Sequence, residues 1–223
     1  MLDDRLQVYQ LSVVLIGNFN PIIIQPFWLA SKKLIREKEA EKAKVQIIHK
    51  EIVRFELDWA FIEVKKDRFE IRTTQLPYFE PLRDLVAGIF KLLTETPISM
   101  MGINHSKSFV LRDEDHHYEI GNKLVNLNLW EESLDDPRLF HLQIIEHKRK
   151  DQYPGMYVVI IEPPKQELNI KYGVEIKMND HYELGQGQTG RNGEILDILE
   201  KNWKYSSDRA NEIIENIRTK LNF

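Results

Sequence analysis

Five adjacent residues, Asp113-Glu114-Asp115-His116-His117, gather the side chains that bind divalent cations. Neighbours in a chain point in different directions, whereas a metal site needs ligands that converge. No His-x-x-x-His or comparable spacing supports the cluster. The segment reads instead as the start of a helix, where carboxylates face the positive end of the helix dipole. A second signal is Gly185-Gln186-Gly187-Gln188-Thr189-Gly190, the G-x-G-x-x-G spacing that lets backbone amides approach a pyrophosphate. That chemistry needs a parallel strand–turn–helix context. Here the preceding strand belongs to an antiparallel set, and too little chain follows for a second parallel strand. The motif reads as a connecting loop.

Other catalytic signatures are missing. The chain has no G-x-S-x-G, no P-loop and no H-E-x-x-H. It has no cysteine, which removes thiolate nucleophiles, disulfides and Cys-ligated zinc. The residues name no catalytic group, no metal ligand and no cofactor, and a non-enzymatic protein is expected. Candidate binding residues lie on strands read as facing away from a helical layer. They are Lys50 and Arg54 in the first half, and His141, His147, Lys171 and Lys177 in the second. Glu56, Asp58, Glu70 and Glu175 share that face, which makes it mixed in charge.

Elements that position these residues follow from hydrophobic periodicity. Of 223 residues, 42% are hydrophobic, enough for a substantial core, and the net charge is −4. A negative balance disfavours duplex DNA, whose binders neutralise phosphates. The first residues are too polar for a signal peptide, and the longest apolar runs fall far short of a membrane span. A cytoplasmic location is expected. Gln7–Phe19, with the β-rich run Leu11–Phe19, reads as a central strand, followed by a helix from Pro26 whose end, Arg36–Lys44, is solvated. Val45–Phe61 alternates with period two, Val45, Ile47, Val53, Phe55, Leu57, Trp59 and Phe61 sharing the packed parity, with a bend or a turn expected near Leu57–Trp59. Two short strands and a helix over about 79–93 complete the first half, with Leu82, Leu85, Val86, Ile89 and Leu93 as its stripe.

Pro97–Leu111 begins what reads as a second copy. A constant offset places Leu11 on Met101, Val13 on Ile103, Phe19 on Phe109 and Leu34 on Leu124. Leu139–Lys148, Met156–Ile161 and Ile170–Met178 read as its strands. A helix around Glu194–Trp203 and a last helix capped by Ser206, Ser207 or Asp208 follow. The expected fold is α+β: a single domain, an internal duplication of β-α-β-β-β-α with halves 1–96 and 97–223, and a continuous antiparallel sheet with helices on one face.

That order of elements is similar to the duplicated saddle of TATA-binding-like folds. The motifs Pro21-Ile22-Ile23-Ile24-Gln25-Pro26-Phe27-Trp28 and Gly102-Ile103-Asn104 resemble those of a sporadically distributed bacterial family with two such halves. The resemblance implies an accessory role in a bacterial system, such as antiviral defence, and no catalytic residues. The expected function is a macromolecular-interaction subunit or sensor whose partner is another protein of the same system. Nucleic-acid binding on the open face is the alternative. The edges of an open sheet are compatible with a homodimer, and no membrane contact is expected.

Overall fold

The computed structural model describes residues 5–185 and 192–223. Among them, nine strands form one antiparallel sheet in the order β2-β3-β4-β5-β1-β6-β9-β8-β7. The strands are β1 (Leu6–Gly17), β2 (Lys44–His49), β3 (Ile52–Glu56), β4 (Phe61–Lys65) and β5 (Arg68–Thr73), then β6 (Ile98–Val110), β7 (Leu142–Glu146), β8 (Gly155–Glu162) and β9 (Gly173–Glu183). The helices are α1 (Pro26–Ser31), α2 (Glu37–Lys42), α3 (Phe79–Leu92), α4 (Glu114–Leu124), α5 (Asn192–Lys201) and α6 (Trp203–Leu221). No helix among the described residues is long and apolar enough to cross a membrane.

Alternation along the two central strands decides which face is covered. Leu11, Val13 and Leu15 on β1 and Met101, Ile103 and Phe109 on β6 are buried beneath helices. Between them, Ser12 and Asn104 pair across the ladder on the open face. Val13 and Ile103, which the sequence offset superposes, stand directly opposite each other in the β1–β6 register. The flanking halves differ, with four strands beyond β1 and three beyond β6. The duplication remains a reading of the sequence pattern.

Helix α3 packs Leu82, Leu85, Val86 and Ile89 onto the first half, as its stripe predicts. Phe90 adds an edge-to-face contact with Phe69, ring centroids 5.2 Å apart. The Trp203 indole ties α6 to α3 by donating to Glu80 Oε1 at 2.9 Å.

Several boundaries differ from the sequence reading, each for a local reason. The helix expected from Pro26 breaks into α1 and α2 because Lys33 takes a positive φ of 59°. The turn expected near Leu57–Trp59 separates β3 from β4, and an earlier turn at Lys50-Glu51, which the alternation did not reveal, divides β2 from β3. Edge position leaves Val45 and Ile47 exposed, and a bulge lies between them. Past the second reversal the parity changes, so Ile62 and Val64 are buried rather than Phe61. Strand β7 is shorter than Leu139–Lys148, because the chain leaves the sheet at His147 and sends Arg149 inward. Helix α6 begins at Trp203, before the three expected caps, and Ser206 is buried within it.

Gly155 opens β8 with φ 138°, and a Cβ there would lie 2.0 Å from the His181 carbonyl oxygen. Gly155→Ala is therefore expected to cost about 1–3 kcal/mol of stability, measurable as a lowered urea midpoint with an unchanged slope.

Candidate interaction surfaces

The six sequence-predicted residues do not converge. Arg54 lies on the open face of β3, bound to Glu63 through Nε at 2.6 Å. Lys177 lies on the same face of β9, five strand intervals away, or about 24 Å. Its ammonium is bonded to Glu162 and lies 3.5 Å from Glu175 Oε2. His141, just before β7, joins the same group through Nδ1, 3.0 Å from Glu162 Oε2. Lys50 occupies the β2–β3 turn, His147 follows β7, and Lys171 lies outside the sheet beside the Tyr172 ring.

Charge pairing extends across this face. Glu63 is held below the ordinary carboxylate range: burial works against the charged form, but Lys65 and Arg54 outweigh it. Burial likewise raises the Glu162 carboxyl, and Lys177 and His141 more than reverse it. Arg68 meets Glu70 at 3.0 Å. A surface whose cations already face carboxylates presents little net field to a phosphate backbone.

The acidic–histidine cluster has a structural role. Asp113 caps α4, its Oδ1 accepting the His116 backbone N–H at 2.8 Å. His116 is buried, while His117 lines a small apolar crevice of about 30 Å³ with Ile120, Leu124, Leu127 and Phe140. Burial and then Arg138 lower the His117 pKa. Among the described residues, no three His, Asp or Glu side chains are grouped to hold a metal ion. Apart from Gly185, the Gly185–Gly190 motif lies outside the described residues.

A feature the sequence reading missed adjoins that crevice. Between α4 and β7 the chain exposes large apolar side chains in succession: Leu129 at 75%, Trp130 at 51%, Leu134 at 52% and Phe140 at 77%. Strand β7 continues the series with Ile144 at 57%. β7 is also a sheet edge, so among the described residues its outer N–H and C=O groups have no strand partner. Large exposed apolar groups and an open sheet edge are each features that protein partners cover. The signal in the sequence was the run Leu127-Asn128-Leu129-Trp130, apolar residues with no helical or strand period to bury them. At the opposite edge, β2 exposes Val45, Ile47 and Ile48 but no Phe, Tyr or Trp.

Sequence reasoning also missed a buried ionic network under α5 and α6. Arg149 Nη1 donates to Asp180 Oδ1 at 2.5 Å and to the His181 carbonyl at 2.9 Å. Its Nε donates to Asp151 Oδ1 at 2.8 Å. The guanidinium lies over the rings of Tyr157 and Tyr182, 4.5 and 4.1 Å from their centroids. Tyr182 donates to Asp180 Oδ2 at 2.7 Å. Burial raises the Asp180 carboxyl despite Arg149. The clue was Asp180 itself, an acid on the inward parity of β9 among Ile176, Met178 and Tyr182. Every member is tied to a neighbour in the core, which marks the network as structural.

No protein-family model matches the chain, and no curated protein matches it either, so the functional argument rests on these surfaces.

Proposed function

We propose that this protein is a non-enzymatic interaction component that binds another protein along the β7 edge. The observation that carries this reading is the run of exposed apolar side chains from Leu129 to Ile144, which leads into a strand at the edge of the sheet. Trp and Phe are the side chains that anchor protein interfaces, because each buries a large area at little entropic cost. The partner supplies an apolar surface to Trp130 and Phe140 and a strand edge to β7. Its expected source is another protein of the same bacterial system, acting in the cytoplasm, where a chain without cysteine has nothing to lose to a reducing environment. Nucleic-acid binding on the open face is the weaker reading, since Arg54 and Lys177 are engaged by carboxylates.

The double substitution Phe140→Glu/Ile144→Lys tests the proposal. Both side chains are exposed, so the unfolding free energy should stay within about 0.5 kcal/mol of the parent. Affinity purification from the native host after nuclease treatment should lose the partner. A partner retained at parental stoichiometry would move the interface elsewhere.

A further inference from the structure

Charge along the β7 edge depends on direction. The chain that leads into β7 carries Glu131, Glu132, Asp135 and Asp136, all exposed. Arg138 is held by Glu114 at 2.8 Å and by Asp136 at 2.9 Å. Glu131, Glu132 and Asp135 have no cation beside them among the described residues. The chain that leaves β7 carries the opposite sign. Lys148 and Lys150 are exposed and, among the described residues, form no ion pair, whereas Arg149 turns into the core. The edge therefore runs from an acidic approach to a basic exit.

Between these ends the strand offers mostly apolar contacts. Leu142, Ile144 and Glu146 lie on the face that the helices cover, because their partners on β8, Ile161, Val159 and Tyr157, belong to the core. Glu146 has its counter-ion within its own chain, Arg209 of α6. Gln143 and Ile145 lie on the open face. An open edge that carries exposed apolar side chains is a liability, and folded proteins close or block such edges.

We propose that two copies of this chain join through β7 about a twofold axis at Ile144. The inference rests on the reading of β7 as a protein-binding edge, and adds that a second copy closes the edge of a chain that has no partner bound. An antiparallel pair sets the start of each strand beside the end of the other. The acidic approach of one copy then lies beside the basic exit of the second, twice over, once at each end of the junction. With the axis at Ile144, all five residues of β7 are paired. Leu142 meets Glu146, Gln143 meets Ile145, and Ile144 meets its own counterpart, so no like charges are opposed. Pairs of equal parity keep the helices of both copies on one face of a continuous sheet. A self-complementary patch of this kind is what a twofold dimer requires. The opposite edge lacks it. Lys42 and Lys44 lead into β2 and Lys50 follows it, so a twofold pair there sets lysine against lysine. The bulge between Val45 and Ile47 also interrupts that edge.

The experiment is sedimentation equilibrium of the purified full-length protein over a wide concentration range, at low and high salt. The parent should pass from the mass of one chain to twice that mass, and salt should weaken the dimer. Lys148→Glu/Lys150→Glu should raise the dimer dissociation constant at least about tenfold, and so should Glu131→Lys/Glu132→Lys. Combining all four changes inverts the charge at both ends and should restore association. Ile144→Lys sets two ammonium groups against each other on the axis and should abolish the dimer. All five side chains are exposed, and an unchanged thermal midpoint confirms that each variant folds. The mass of one chain at every concentration overturns the proposal. So does a four-fold variant that fails to regain association, or a dimer that Ile144→Lys leaves intact. Each of these results leaves β7 as the partner's site, a reading that falls separately if Phe140→Glu/Ile144→Lys retains the partner.

Discussion

Arg149→Met is expected to cost about 3–5 kcal/mol of folding free energy, the largest effect of any single change considered. Methionine fills much of the volume, so the loss is electrostatic rather than a cavity. The side chains of Arg149 and Asp180 are 2% and 0% exposed, and removing the cation strands a carboxylate in the core. The Tyr182 hydroxyl still donates to it, but one neutral donor does not replace a guanidinium. Two further results follow from this cause. Replacing both partners, Arg149→Met with Asp180→Leu, should cost less than Arg149→Met alone, because an apolar pair leaves no buried charge. The Arg149→Met deficit should also shrink as the pH falls toward 4. A carboxyl whose pKa burial has raised binds a proton more readily folded than unfolded, and so gains stability on acidification. Urea unfolding across that range reads both effects.

His105 should make the fold acid-sensitive in a defined window. It lies on the helix face of β6, 1% exposed, with Nδ1 2.9 Å from the Tyr9 hydroxyl and Nε2 without a partner. Burial, and secondarily Lys107, lower its pKa to about 4. The same burial pushes the Tyr9 phenol up to about 12, so that group stays neutral throughout. Glu215, from α6, lies 3.6 Å from the Lys107 ammonium. In the unfolded chain His105 titrates near 6.5. Between those values the unfolded state binds the proton and the folded state does not, so stability falls as pH falls. The full loss from pH 7 to below 4 is about 3 kcal/mol from this group. His105→Gln keeps an acceptor for Tyr9 but cannot titrate. The difference in unfolding free energy between parent and His105→Gln should therefore change by about that amount across the window. A difference that stays constant with pH would show that His105 is not buried in its neutral form.

The architecture was legible where one face of an element is dry. β1, β6 and α3 read correctly because Leu11, Val13 and Leu15, or Leu82, Leu85 and Val86, fall on a single period against a continuous helical or sheet layer. It was illegible at the margins. Val45 and Ile47 have the alternation of a packed strand, yet β2 is an edge strand whose residues are all exposed, so pattern alone could not show the turn at Lys50-Glu51. Arg149 sits in the charged run Lys148-Arg149-Lys150-Asp151, which composition assigns to a solvated turn. Only the position of Asp180 across the sheet gives the arginine a reason to go inward. The candidate sites divide in the same way. Strand parity assigned Lys177 and His141 to one face, and Glu162, which bridges them, was not foreseen. The exposed run from Leu129 to Phe140 has no period, so periodicity had nothing to detect.

The most direct test of the central claim places a photo-crosslinking benzoylphenylalanine at position 140 in the native host, with the same residue at Lys38 on exposed α2 as control. Irradiation should yield one discrete adduct with a protein chain at position 140 and none at Lys38. Equal adducts at both positions, or an adduct at 140 that nuclease removes, would contradict the assignment of the β7 edge as a protein-binding surface.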